Sequence, residues 1–198
     1  MSITPERARP ERGDGMSANL GRHTSPRTAG AGATAMRYLI AASFLGCILA
    51  SNYVTTRFGM VSVGFGLTAT AGTYFAGASF VLRDFVHDTG GRRWVVALIV
   101  AGSILSFLIA APYIALASAV AFLLSESADF AVYQPLRRRG YIRAAIASNI
   151  AGTLVDTFAF LWIAGFPIQQ ALAGQITGKL TVTAVAVLGV VIVRALSR

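Results

Sequence analysis

Glu126 and Asp129 are three residues apart at the end of a long apolar run, Leu123-Leu-Ser-Glu-Ser-Ala-Asp-Phe-Ala-Val-Tyr133. On a helix that spacing places both carboxylates on one face. Phe122 and Tyr133 extend the same face, and the basic turn Arg137-Arg138-Arg139-Gly140 follows. Acids within an apolar span are costly and mark functional sites. Two further charges sit deeper in apolar sequence: Asp156 and Lys179, the latter the only lysine in the chain. At 1.5 Å per residue Asp156 falls roughly 18–20 Å into its span from one side, and Lys179 about 14 Å into the next span from the other. In a hydrocarbon core of about 30 Å those depths nearly coincide. An Asp156–Lys179 pair is therefore expected. Its role is either a lock between two helices or a direct part in binding.

These charges need spans to carry them. Of the 198 residues 55% are hydrophobic and 13% charged, against about 25% charged in soluble domains. The fold class expected is all-α, a polytopic membrane bundle of six transmembrane helices. The spans fall near Tyr38–Thr56, Leu67–Val86, Trp94–Ala111, Tyr113–Tyr133, Arg143–Ala164 and Gln170–Val193, each near the roughly 20 residues needed to cross. Ala111-Pro112-Tyr113 forms a tight turn, and Thr89-Gly90-Gly91 and Gly140 punctuate others. Residues 1–35, rich in Arg, Pro, Gly and Ser, read as a disordered basic tail, and residues 36–198 as one transporter domain. Met16 and Met36 are alternative starts.

The net charge of +9 would suggest nucleic acid in a soluble chain. Here the basic residues gather in the tail, the loops around Arg92 and Arg138, and the C-terminus. That asymmetry predicts cytoplasmic ends. One cysteine, Cys47, and two distant histidines, His23 and His87, exclude a transition-metal site. No cofactor, metal or catalytic residue is expected, and the chain reads as a non-enzyme. Cys47 reads as packing and His87 as a solvated loop residue.

Other spans repeat the polar theme. Asn149, Gly152, Thr153 and Asp156 recur at helical spacing, as do Thr73, Gly77, Phe80 and Asp84. The sixth span carries Gly174-Gln175-Ile176-Thr177-Gly178-Lys179, and Asn52 sits late in the first. Buried polar groups need partners. Turned inward, these stripes would enclose one central cavity, with Tyr53, Tyr74, Phe158, Phe160 and Trp162 available for stacking. Such walls suit a small, flat, polar molecule. A carboxylate accepts paired N–H bonds from a guanine-like edge, and Lys, Asn or Gln donates to its carbonyl.

Ser51-Asn52-Tyr53, Arg83-Asp84, Ser125-Glu126-Ser127-Ala128-Asp129, Ser148-Asn149-Ile150-Ala151-Gly152, Asp156-Thr157 and Gly178-Lys179 together resemble the VUT family of six-span queuosine precursor transporters. The resemblance runs from about Arg37 to the C-terminus. It implies import of the cyano and aminomethyl deazaguanine bases for tRNA salvage, from the plasma (inner) membrane of a bacterium. It also implies substrate-binding roles for Asn52, Asp84, Glu126, Asp129, Asn149, Asp156 and Lys179. The partners implied are the base and the lipid bilayer, with no nucleic acid contacted directly.

Two alternatives stay open. One is a substrate-binding subunit energised by a separate ATPase, since the chain has no G-x-x-x-x-G-K-[ST] loop of its own. The other is a metal-dependent membrane transferase built on Asp84 and Asp88, which would need further acids close by. A channel would want a continuous polar pore, which the expected ion pair interrupts.

Overall fold

Residues 26–196 are described by the structure, a computed structural model. Five helices and one hairpin follow in order: α1 (Pro26–Phe58), β1 (Met60–Gly64), β2 (Leu67–Thr70), α2 (Thr73–Ile109), α3 (Pro112–Arg137), α4 (Tyr141–Ile163) and α5 (Ile168–Leu196). The helix α1 starts ahead of the Met36 expected to open the first span, and residues 1–25 of the expected tail lie outside the described residues. Among the described residues four helices are long and apolar enough to cross a membrane, within α1, α2, α3 and α4.

The 37 residues of α2 would reach about 55 Å if straight, well beyond a hydrocarbon core of about 30 Å. They do not run straight. Gly91 leaves helical geometry at φ 75°, ψ 175°, a conformation open to glycine and costly to other residues. The break divides α2 into arms 73–90 and 92–109, where the second and third spans were expected. The first arm packs on α5, with Gly77 close to the Lys179 backbone. The second packs on α1, where Gly102 faces Leu45 and Ile48. Phe44, Ile48, Val86, Val95, Ile99 and Phe122 form the buried core joining α1, α2 and α3. α3 enters with Pro112 at its first turn, where a missing N–H costs nothing, and lies chiefly along α4.

The hairpin corrects one expected boundary. Leu67–Thr70, assigned above to the start of the second span, is a strand paired antiparallel with Met60–Gly64. Phe65 and Gly66, both at positive φ (53° and 71°), make the two-residue connection that suits the twist of paired strands. The side chain of Phe65 is almost fully exposed. β2 lies against α5, with the Thr68 hydroxyl donating to the Gln170 carbonyl at 3.0 Å. The glycines of α5 explain the fit: a side chain at Gly174 would collide with the Thr68 carbonyl, and one at Gly178 would meet Thr73. Gly174→Ala should therefore lift the hairpin from α5 at a cost of about 1–3 kcal/mol, as overpacking does. Faster proteolytic cleavage between residues 60 and 70 checks this.

The end of α1 fastens both neighbouring turns. Ser51 donates to the Gly72 carbonyl at 3.0 Å, Thr55 accepts from the Gly72 amide at 3.0 Å, and Thr56 accepts from the Ala111 amide at 3.0 Å. These bonds place the hairpin, the start of α2 and the start of α3 at one end of the bundle.

Candidate functional site

The polar residues do not share one chamber. They divide between two compartments at different depths. The first is a small cavity of about 30 Å³ among α1, α2, α3, α4 and α5, lined by Ser79, Phe80, Phe122, Asp156, Gln175 and Lys179 with their neighbours. That volume has room for about two waters and none for a base. Asp156 and Lys179 meet there as expected. Lys179 Nζ donates to Asp156 Oδ2 at 2.5 Å and to the Thr157 hydroxyl at 2.9 Å, and both charged residues are buried. One turn away Gln175 donates to the Thr70 hydroxyl at 2.8 Å. The base of the hairpin is thereby tied to the helix that carries Lys179.

The second compartment is an open cleft of about 890 Å³ between α2, α3 and α4, within the roughly 300–1,000 Å³ typical of small-molecule sites. Asp84, Glu126, Asp129 and Asn149 all line it, together with Arg83, Tyr133 and His87. Four of the seven expected site residues thus converge from three helices. Their convergence follows from direction: the first arm of α2 and α3 both run away from the hairpin end, and α4 returns, so Asn149 near its start faces Arg83 near the end of that arm. Arg83 Nη2 reaches Asn149 Oδ1 at 3.4 Å.

Arg83 is the residue that sequence reasoning undervalued. The sequence reading places Asp84, and not Arg83, on the polar stripe. Burial runs the other way: the side chain of Arg83 is 5% exposed and that of Asp84 53%. Arg83 donates to Asp84 Oδ1 from Nε at 3.1 Å and from Nη2 at 2.8 Å. Its Nη1 lies 2.7 Å from Glu126 Oε1. That last contact is one of charge alone, because neither atom makes a hydrogen bond, and both are buried. Glu126 lines the cleft, but its Oε1 is turned inward against Arg83, out of reach of solvent. The available signal was the helical register, which sets Arg83 three residues beyond Phe80 on the polar stripe.

Asn52 belongs to neither compartment. Its amide donates to the Ser106 hydroxyl at 2.9 Å in a buried bond between α1 and the second arm of α2. Of the rings considered for stacking, Phe160 lines the cavity, while Tyr53, Tyr74, Phe158 and Trp162 are exposed on the outside of the bundle. The ring pair that does face the polar interior is Phe80 and Phe122, stacked at 5.2 Å with 12° between planes.

Residues 106–195 match the family model described as "Putative vitamin uptake transporter". Over that stretch the chain resembles a transporter family. The matched stretch contains Glu126, Asp129, Asn149, Asp156 and Lys179, so it reaches both compartments, and it stops short of Arg83 and Asp84. It supports a membrane protein of the vitamin-uptake type, and carriage in place of catalysis. Neither a curated protein nor a solved structure matches the chain.

Proposed function

We propose that this chain imports queuosine precursors, the cyano- and aminomethyl-deazaguanine bases, and that the base is held in the cleft by Glu126 and Asp129. The observation that carries the reading is the pair of carboxylates, Glu126 and Asp129, lining one cleft of suitable volume. A guanine-like edge offers parallel N–H donors, and a carboxylate takes them as a pair. Asn149, exposed on α4 in the same cleft, has an amide able to donate to the carbonyl of the base. Arg83, with Nη1 2.7 Å from Glu126 Oε1, keeps that carboxylate oriented until the base arrives. The cleft lies among Arg92, Arg137 and Arg138, on the side that basic residues mark as cytoplasmic. This conformation is then the one that releases its cargo inward. Asp156 and Lys179, closed off from the cleft, hold α4 to α5 and do not touch the base in this state.

The test uses cells that neither make queuosine nor carry an importer. With this chain expressed alone and each base supplied at low concentration, queuosine should appear in tRNA. Glu126→Ala and Asp129→Ala should each lower the initial uptake rate about tenfold or more, as expected for a charge-assisted hydrogen bond to a bound ligand, with membrane levels of protein unchanged. Absence of queuosine with correctly inserted protein, restored by an added ATPase module, would replace this reading with the energised-subunit one.

A further inference from the structure

We infer that Phe80 and Phe122 form the gate between the two polar compartments, and that a solute crosses the protein by parting this ring pair. The inference rests on carriage across the membrane and does not depend on which solute is carried. Both rings line the small cavity. On the same two helices Arg83 and Glu126, three and four residues further along, line the open cleft. That is a step of roughly 4.5–6 Å along the axes, and among the described residues none borders both spaces. The stacked pair, 5.2 Å between centroids with both residues buried, is the partition.

The two leaves differ. Phe122 is braced edge-on by Phe44 at 5.8 Å, and Phe44 is fully buried in the core. Phe80 instead stands between two cations, with the Arg83 guanidinium 5.3 Å and the Lys179 ammonium 5.6 Å from its ring centroid. Phe80 is thus the leaf whose movement both cations would sense. Its displacement alters the surroundings of a charge in each compartment, which ties opening to the state of both the Arg83–Glu126 and the Lys179–Asp156 pairs. Beyond the cavity the Gln175–Thr70 bond ties the hairpin to α5, so the ring pair and this tie stand in series along the bundle.

The purified full chain, with Cys47 replaced by Ala, tests the gate without any transported solute. A reporter is placed behind the rings as Ser79→Cys, at a buried cavity position. A control is placed in the cleft as Gln134→Cys. Both are labelled with methanethiosulfonate ethylammonium. In the Phe80→Ala background the Ser79→Cys reporter should label about tenfold faster or more, the factor in an opening equilibrium that a lost ring pair of this kind carries, while the Gln134→Cys rate stays the same. An unchanged reporter rate would overturn the gate. Should Phe80→Ala quicken the control as well, Phe80→Leu, which keeps apolar bulk without the ring, decides. Reporter labelling faster than with Phe80 intact upholds the gate, and an equal rate removes it. Loss of deazaguanine import with this labelling pattern intact would reject the substrate and leave the gate standing.

Discussion

Asp156→Ala should destabilise the folded protein by about 3–5 kcal/mol, the cost of stripping one partner from a buried ion pair. Lys179 is 3% exposed, and after the change its ammonium would retain only the Thr157 hydroxyl at 2.9 Å and the Phe80 ring. Neither offsets a full charge out of reach of water. Lys179→Met combined with Asp156→Ala should recover most of the loss, since the methionine keeps much of the volume and leaves no charge to strand. Thermal unfolding of the detergent-purified protein reads both variants. A double variant as unstable as the single one would mean that the two charges do not compensate each other.

The second large effect belongs to Arg83. Arg83→Met should cost a comparable 3–5 kcal/mol or so, because Glu126, 9% exposed, loses its one opposite charge among the described residues. Asp84 loses two hydrogen bonds as well, but at 53% exposure water replaces them at little cost. Adding Glu126→Gln to Arg83→Met should therefore restore stability, and adding Asp84→Asn should not. The same unfolding measurement separates the two. Rescue by Asp84→Asn alone would reverse the assignment of Arg83's principal partner.

The contrast between these pairs shows what the sequence made legible. Asp156 and Lys179 could be matched because they are isolated charges at equal depth on consecutive helices, where few partners compete. Arg83 could not be ranked above Asp84, because adjacent residues point about 100° apart on a helix and only the packing of α3 and α4 decides which is covered. The convergence of Glu126, Asp129, Asn149 and Asp84 was implied by their stripes. The separation of Asp156 and Lys179 from them was not, since it depends on the two phenyl rings stacked between. The hairpin left a trace that hydropathy outweighed. Met60-Val-Ser-Val-Gly and Leu67-Thr-Ala-Thr flank Gly64-Phe-Gly66, a strand–turn–strand pattern beside an apolar segment long enough to absorb it.

The cleft walls carry Arg83, Arg92, Arg137 and Arg138 against Asp84, Asp88, Glu126 and Asp129, four formal positive and four formal negative charges. Among these lining residues the charges balance, so the walls themselves favour neither anion nor cation. They select a guest by contact, where each donor must meet an acceptor, and a neutral molecule with a dense donor and acceptor edge satisfies them without leaving a charge unmatched.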